Sequence, residues 1–99
     1  MDIQKTRTED QLQIALTGQL DTLSAPLLDA ELSGLDASVK QLSLDFTNLD
    51  YISSAGLRVV LTAQKEMNAR QGKMTVSGAN ETIRHVFKLT GFSSVLTFV

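Results

Sequence analysis

Two adjacent hydroxyls, Ser53 and Ser54, lie in the stretch Asp50-Tyr51-Ile52-Ser53-Ser54-Ala55-Gly56-Leu57-Arg58. An alternating, strand-like segment precedes them and a long helical segment follows. A serine at such a corner can attack a substrate, cap a helix or receive a phosphoryl group. Attack needs a base. The one histidine is His85, between Arg84 and Val86. Helical spacing puts it off the Ile83/Val86/Phe87 stripe, as a solvated surface residue. No lysine or carboxylate stands at a recognisable base spacing from Ser54, so a serine triad is not supported. Asp21, Asp45 and Asp50 are scattered acids without a local metal motif. No Walker loop or Gly-x-Gly-x-x-Gly offers a nucleotide site. No catalyst, metal or cofactor is expected. Capping and phosphoryl acceptance remain, and they are compatible. Ser53 is the better N-cap, which leaves Ser54 in the first helical turn.

A helix N-terminus tolerates a phosphoryl group well. Its unpaired N–H groups and partial positive charge favour a nearby anion by about 0.3–1 kcal/mol. Phosphorylation adds roughly −1.5 to −2 charges. Such a charge leaves the domain folded and changes how it docks. Asp21 and Asp50 are expected on the same rim, so a modified rim would be strongly acidic. A partner that desolvates it would be expelled.

The elements that must position this corner read as follows. Ile3 opens a short edge strand, and Thr8-Glu9-Asp10 signals a turn. Leu12, Ile14 and Leu16 alternate with polar or small residues, the period of a half-buried strand that Gly18 ends. Ser24 is expected to cap a first helix with Pro26 in its first turn. Leu23 and Leu28 have the spacing of a hydrophobic staple, and Leu28, Leu32 and Leu35 form the apolar stripe, with Gly34 at the end. Leu42, Leu44 and Phe46 alternate with Ser43 and Asp45, giving a strand with one wet face. The helical signal from Gly56 to about Arg70 is the strongest in the chain, and Gly72 is expected to stop it. Lys73–Ser77 is a strand, Gly78 a turn and Asn80 the cap of a third helix stopped by Gly91. Val95–Val99 is expected to add a last edge strand.

Strands alternating with helices imply parallel pairing through right-handed crossovers. The fold class is α/β, a mixed four- to five-stranded sheet with helices mainly on one face. The loops around Asp21-Thr22, Asp50–Ser54 and Ser77-Gly78 then share the sheet edge where α/β domains place ligands and partners.

The totals narrow the function. A chain of 99 residues is expected to be a single domain, residues 1–99. Net charge is −2, without a basic stripe, so direct nucleic-acid binding is not expected. Aromatics are only 5% with no Trp, which removes a base-stacking platform. Cysteine is absent, excluding thiolate metal sites. No apolar run approaches the ~20 residues of a membrane span, and the N-terminus lacks a signal-peptide core. Membrane insertion is not expected, and a cytoplasmic location is.

Leu42-Ser43-Leu44-Asp45-Phe46 with Leu49-Asp50-Tyr51-Ile52-Ser53-Ser54-Ala55-Gly56-Leu57 resembles the core signature of STAS domains, above all the bacterial anti-sigma factor antagonists. Gly18-Gln19-Leu20-Asp21 with Ala25 and Leu28 resembles that family's strand-to-first-helix motif. Val86-Phe87-Lys88-Leu89-Thr90-Gly91-Phe92 resembles its last-helix motif. The resemblance implies a STAS-like fold and a partner switch. The unphosphorylated antagonist binds an anti-sigma serine/threonine kinase and frees a sigma factor. The kinase phosphorylates a serine at the start of the second helix, and a metal-dependent serine phosphatase reverses this. The commonest family motif is Asp-Ser-Ser/Thr-Gly. Aligned on Gly56, the acceptor is Ser54, the preceding Asp is replaced by Ser53, and the second hydroxyl by Ala55. Ser53 thereby becomes a rival, secondary acceptor. The resemblance puts Asp21 and Ser54 at the partner interface; Thr22, Ser53 and Ala55, beside them, and Arg58, exposed one turn into the helix, are expected to join them there.

Two other functions compete. A non-switching STAS adaptor subunit of a transport or signalling complex would use the same fold and corner. A nucleotide-binding or hydrolysing enzyme has only the loop cluster in its favour.

Overall fold

The computed structural model describes residues 1–99. Its elements are β1 (Asp2–Thr8), β2 (Gln11–Leu20), α1 (Ala25–Ser33), β3 (Gln41–Ile52), α2 (Ser54–Ala69), β4 (Lys73–Ser77), α3 (Glu81–Leu89) and a 3₁₀ turn at Phe92–Ser94. The sheet order is β1-β2-β3-β4. β1 and β2 form an antiparallel hairpin, with Asp2 opposite Thr17 and Thr8 opposite Gln11. β2, β3 and β4 are mutually parallel. Each right-handed crossover steps the sheet in the same direction, so α1 and α2 must lie on the same face. The mixed sheet with helices on one side is as expected.

Side-chain alternation accounts for that one-sidedness. Leu12, Ile14 and Leu16 of β2, Leu42, Leu44 and Phe46 of β3, and Met74 and Val76 of β4 are buried. Leu28 and Leu32 of α1, Val60, Ala63 and Met67 of α2, and Ile83 and Phe87 of α3 belong to the same core cluster. The opposite face carries Gln13, Ser43 and Thr75 and stays polar. A two-layer domain needs only one apolar face per strand, and these strands supply one.

Five expectations are corrected. β2 does not end at Gly18. It continues to Leu20, and β3 continues past Phe46 to Ile52. Register shifts at Ala15/Thr17 and Gly18/Gln19 break the simple alternation while preserving the pairing, so Leu49 and Ile52 are still buried. The chain begins to coil into α1 at Asp21, three residues earlier than Ser24. Ala25 N–H donates to the Asp21 carbonyl at 2.7 Å, and the Ser24 side chain makes no cap hydrogen bond to the helix it precedes. The staple therefore does not form at Leu23, which is 88% exposed.

At the end of α2 the left-handed residue is Gln71, with φ 59°, not Gly72. Gly72 N–H closes the helix by donating to Met67 O at 2.7 Å. Gly72 is needed for a different reason: a Cβ there would stand 2.6 Å from Lys40 O. Finally, the expected fifth strand shrinks to one parallel bridge, Val76 to Phe98. Gly91, with φ 78°, and the 3₁₀ turn consume the preceding residues. The sheet has four strands. Two of the expected caps are as read: Ser53 accepts from Gly56 N–H, and Asn80 accepts from Ile83 N–H. His85 is exposed, as expected.

Candidate functional site

The corner is held from two sides. On the β2 side, Gln19 pairs with Tyr51 and Leu20 with Ile52. Leu20 O then accepts from Ser53 N–H at 2.8 Å, which carries the pairing one residue past the strand. On the other side β4 stops short: its last partner on β3 is Asp45, opposite Ser77. Asn80 takes over there. Its Nδ2 donates to Leu49 O at 3.2 Å and to Asp50 O at 3.3 Å, while its Oδ1 accepts from Ile83 N–H at 2.8 Å. One side chain thus caps α3 and ties it to the strand that leads into the serines.

At the corner itself Ser53 is extended, with φ −94° and ψ 174°, and its Oγ accepts from Gly56 N–H at 3.3 Å. This is the N-cap geometry, which satisfies one of the free donors of the first turn. Ser53 is half-buried. Ser54 is the first residue of α2 and is exposed, so its hydroxyl is the one presented to solvent. Ala55 is half-buried against the core, and Arg58 is exposed one turn on. Gly56 is buried against the end of β2, where a Cβ would stand 2.6 Å from Leu20 Cγ and 2.7 Å from Leu20 O.

The β2–α1 loop is built around Asp21 and Ser24. The Asp21 carboxylate accepts from Leu23 N–H, Ser24 N–H and the Ser24 hydroxyl, each at 3.0 Å. In return Ser24 Oγ accepts from Asp21 N–H at 2.9 Å. These two residues form a reciprocal capping box, with Asp21 as the cap and Ser24 three residues in. The single Ser24 hydroxyl proton is shared between the Asp21 carboxylate and Gln19 O, which lies at 2.7 Å. Asp21 therefore faces inward to its own loop as well as outward to the rim. Its hydrogen bonds from Ser24 and Leu23 stabilise the ionised form and hold the carboxyl below its ordinary 3.8. Asp45 is similarly held down by Thr47, whose N–H and hydroxyl both donate to it. That engagement places Asp45 in a local turn of its own strand.

The sign of the pH dependence follows. A carboxyl whose folded pKa is depressed contributes its stability above the unfolded value of about 3.9 and loses it as pH falls through the folded value. The stability difference between the wild type and Asp21→Asn should be constant from pH 7 to about 5. It should shrink as pH drops below about 4. Urea unfolding at a series of pH values measures this, and a difference that does not vary with pH would contradict the bonding described.

Asp21 and Asp50 line one shallow depression of about 540 Å³, together with Met1, Gln19, Leu23 and Leu27. Sequence reasoning missed its apolar part. Leu23 is 88% and Leu27 55% exposed, and Tyr51, paired with Gln19, is 45% exposed. Leu27 was findable, because it lies off the Leu28/Leu32 stripe at helical spacing. Leu23 was not, since its exposure depends on the early start of the first turn. Of the six expected interface residues, Thr22, Ser54 and Arg58 are exposed, whereas Asp21, Ser53 and Ala55 are half-buried. No three of His, Asp and Glu come together in a group able to hold a metal ion. No helix is long and apolar enough to cross a membrane.

Comparison with known proteins agrees with this architecture. The family model described as the STAS domain matches residues 2–99. A candidate anti-sigma factor antagonist of Bordetella bronchiseptica, BtrV, is 35% identical over 96 residues, covering 96% of this chain and 83% of that protein. The anti-sigma-B factor antagonist of Listeria monocytogenes is 30% identical over 95 residues, covering 93% and 82%. Among solved structures, the anti-sigma factor antagonist SpoIIAA in its unphosphorylated form superposes with a TM-score of 0.80 at 23% identity, covering 99% of this chain and 87% of that one. The Bacillus SpoIIAA in its phosphorylated form superposes with a TM-score of 0.79 at 24% identity, covering 99% and 91%. At these identities the two structures establish the shared fold.

Proposed function

The chain belongs to the STAS domain family, among the anti-sigma factor antagonists, and from this we propose that it is a phospho-switched binding protein acting as one domain over residues 1–99. Unphosphorylated, it sequesters an anti-sigma serine/threonine kinase and so releases a sigma factor or other target. The kinase transfers the γ-phosphoryl group of ATP to Ser54. A bond forms between Oγ and phosphorus, the bond to the β–γ bridging oxygen breaks, the hydroxyl proton leaves, and ADP departs. The phosphorylated protein is released, and a metal-dependent serine phosphatase restores the hydroxyl by hydrolysis.

The observation that carries this reading is the division of labour between the two serines. The Ser53 hydroxyl is engaged with Gly56 N–H, whereas the neighbouring Ser54 is exposed at the head of α2. That asymmetry favours Ser54 as acceptor and leaves Ser53 to the fold. The surrounding surface fits a docking partner in composition. Leu23, Leu27 and Tyr51 supply apolar area, and Asp21, Thr22 and Asp50 supply a polar rim. A phosphate added at the rim would have to be desolvated beside two acids, which repels the partner. A relative solved in a phosphorylated form, SpoIIAA, lends the mechanism a precedent.

Phosphosite mapping tests the proposal. The protein is incubated with Mg-ATP and each serine kinase of the anti-sigma class from its own genome, then analysed by mass spectrometry. Single phosphorylation on Ser54 is the expected result. Phosphate on Ser53 alone, or on no serine with any of these kinases, would overturn it. Recovery of the protein with a transporter complex, and with no kinase, would turn the assignment to a non-switching adaptor.

A further inference from the structure

Arg58 is the one cation in the stretches that build the corner, residues 19–24 and 50–58, and it is exposed. It forms no salt bridge: the two in the molecule are Lys5–Glu31 and Arg70–Glu66. The helix explains why. Partners for a helical arginine stand three or four residues away, and those positions hold Ser54, Ala55, Leu61 and Thr62. None is acidic. The Thr62 hydroxyl is spent on the Arg58 carbonyl, at 2.9 Å. The other arginine near this edge, Arg84, is occupied: its Nε donates to Ala79 O at 3.2 Å, and its guanidinium lies 5.3 Å from the Phe98 ring centre. Arg58 is thus an unpaired guanidinium whose neighbour one turn toward the N-terminus is Ser54.

We propose that Arg58 is the internal counter-ion of the Ser54 phosphate, its guanidinium donating to the phosphate oxygens. Phosphorylation creates an anion at i and Arg58 supplies the cation at i+4, an arrangement that stabilises the helix from within. This inference rests on the reading of Ser54 as the modified residue, and it adds a second effect to the modification. Before phosphorylation the corner offers a partner Asp21, Asp50 and a free Arg58. Afterwards it offers an added anion, and the only cation is tied to it. The switch therefore removes an attractive group while it introduces a repulsive one. Repulsion and loss of attraction act together, which is how specificity is commonly reinforced at interfaces.

The test needs no kinase. Phosphoserine is installed at position 54 by genetic encoding, in the full chain, and its second ionisation is followed by phosphorus NMR against pH. Asp21 and Asp50 on the same rim push that pKa up, while the helix N-terminus and Arg58 pull it down. These other groups are identical in an Arg58→Gln chain, so the difference between the two titrations isolates Arg58. Wild type should titrate about 0.2–0.4 pH unit below Arg58→Gln at low salt, and the gap should close at 1 M salt. Arg58→Lys should recover part of the shift. Arg58 is exposed, so matched thermal unfolding of the phosphorylated chains checks that each is folded. Curves that superimpose within 0.1 pH unit overturn the proposal. A negative phosphosite map would sink the function proposed above while leaving this titration unaffected, so the two failures are distinguishable.

Discussion

Ser54→Asp should weaken binding to the kinase proposed to phosphorylate the protein by about 30-fold or more, whereas Ser54→Ala should bind normally and resist phosphorylation. Placing an unpaired charge in a desolvated interface costs about 2–5 kcal/mol, and each 1.4 kcal/mol is a factor of ten in affinity. The loss would not come from misfolding. Ser54 is exposed at the first position of α2. A carboxylate in that turn favours the helix by about 0.3–1 kcal/mol. The aspartate variant should therefore match or exceed the wild type in thermal stability while losing its partner. Titration calorimetry of the three proteins against that kinase decides the matter. Equal affinity for the aspartate variant and the wild type would remove the basis for a switch at this residue.

Gly56→Ala should destabilise the protein by about 2–3 kcal/mol, lowering the Tm by roughly 10–20 °C. Two effects of opposite sign compete here. Helix propensity alone predicts a gain of about 1 kcal/mol for replacing an interior glycine by alanine. Packing predicts a loss, because the new Cβ would stand 2.6 Å from Leu20 Cγ, 2.7 Å from Leu20 O and 3.1 Å from Ile52 Cγ1. Two of these contacts are far too short for carbon against a well-packed core or a backbone oxygen, and Leu20 O is already bonded to Ser53 N–H. Packing should win. Urea unfolding gives the sign directly, and a stabilised variant would mean that α2 sits farther from β2 than described. Because the displaced contact is at the corner, Gly56→Ala should also weaken binding to the partner.

Most of the frame was legible because its signals are local. Leu42, Leu44 and Phe46 announce β3 by period two. Ser53 and Asn80 announce the starts of α2 and α3 by the chemistry of a capping oxygen. What escaped depends on pairing or on competition between neighbours. The last third of β3 is a strand only because β2 follows it through two register shifts. Such shifts scramble alternation. The start of the first helical turn was misplaced because Asp21 and Ser24 are both good capping residues, and only their mutual hydrogen bonds show that Asp21 is the cap. That three-residue difference turns Leu23 from an internal staple into surface. The Val95–Val99 segment has strand composition throughout, yet only Phe98 makes a bridge. Of the site, the placement of Ser53 as the cap and Ser54 as the exposed first residue of α2 was readable from the corner. The apolar surface beside it and the Asn80 tether were not, since both arise from residues far apart in the chain.

Asn80 also bears on how the protein is made. The serines at 53 and 54 leave the ribosome well before the residue that braces their strand, and the carbonyls of Leu49 and Asp50 must wait for its amide. Parallel pairing with β4 imposes the same delay, because residues 73–77 must arrive before β3 is enclosed. Domains complete their folding as units during synthesis. A nascent or truncated chain would therefore display Ser54 on an unfinished edge, without α3 behind it. On the function proposed above, a partner that recognises the assembled corner counts only finished molecules, so the pool available for switching is the folded pool, and damage to the C-terminal third would withdraw a copy without touching the serine itself.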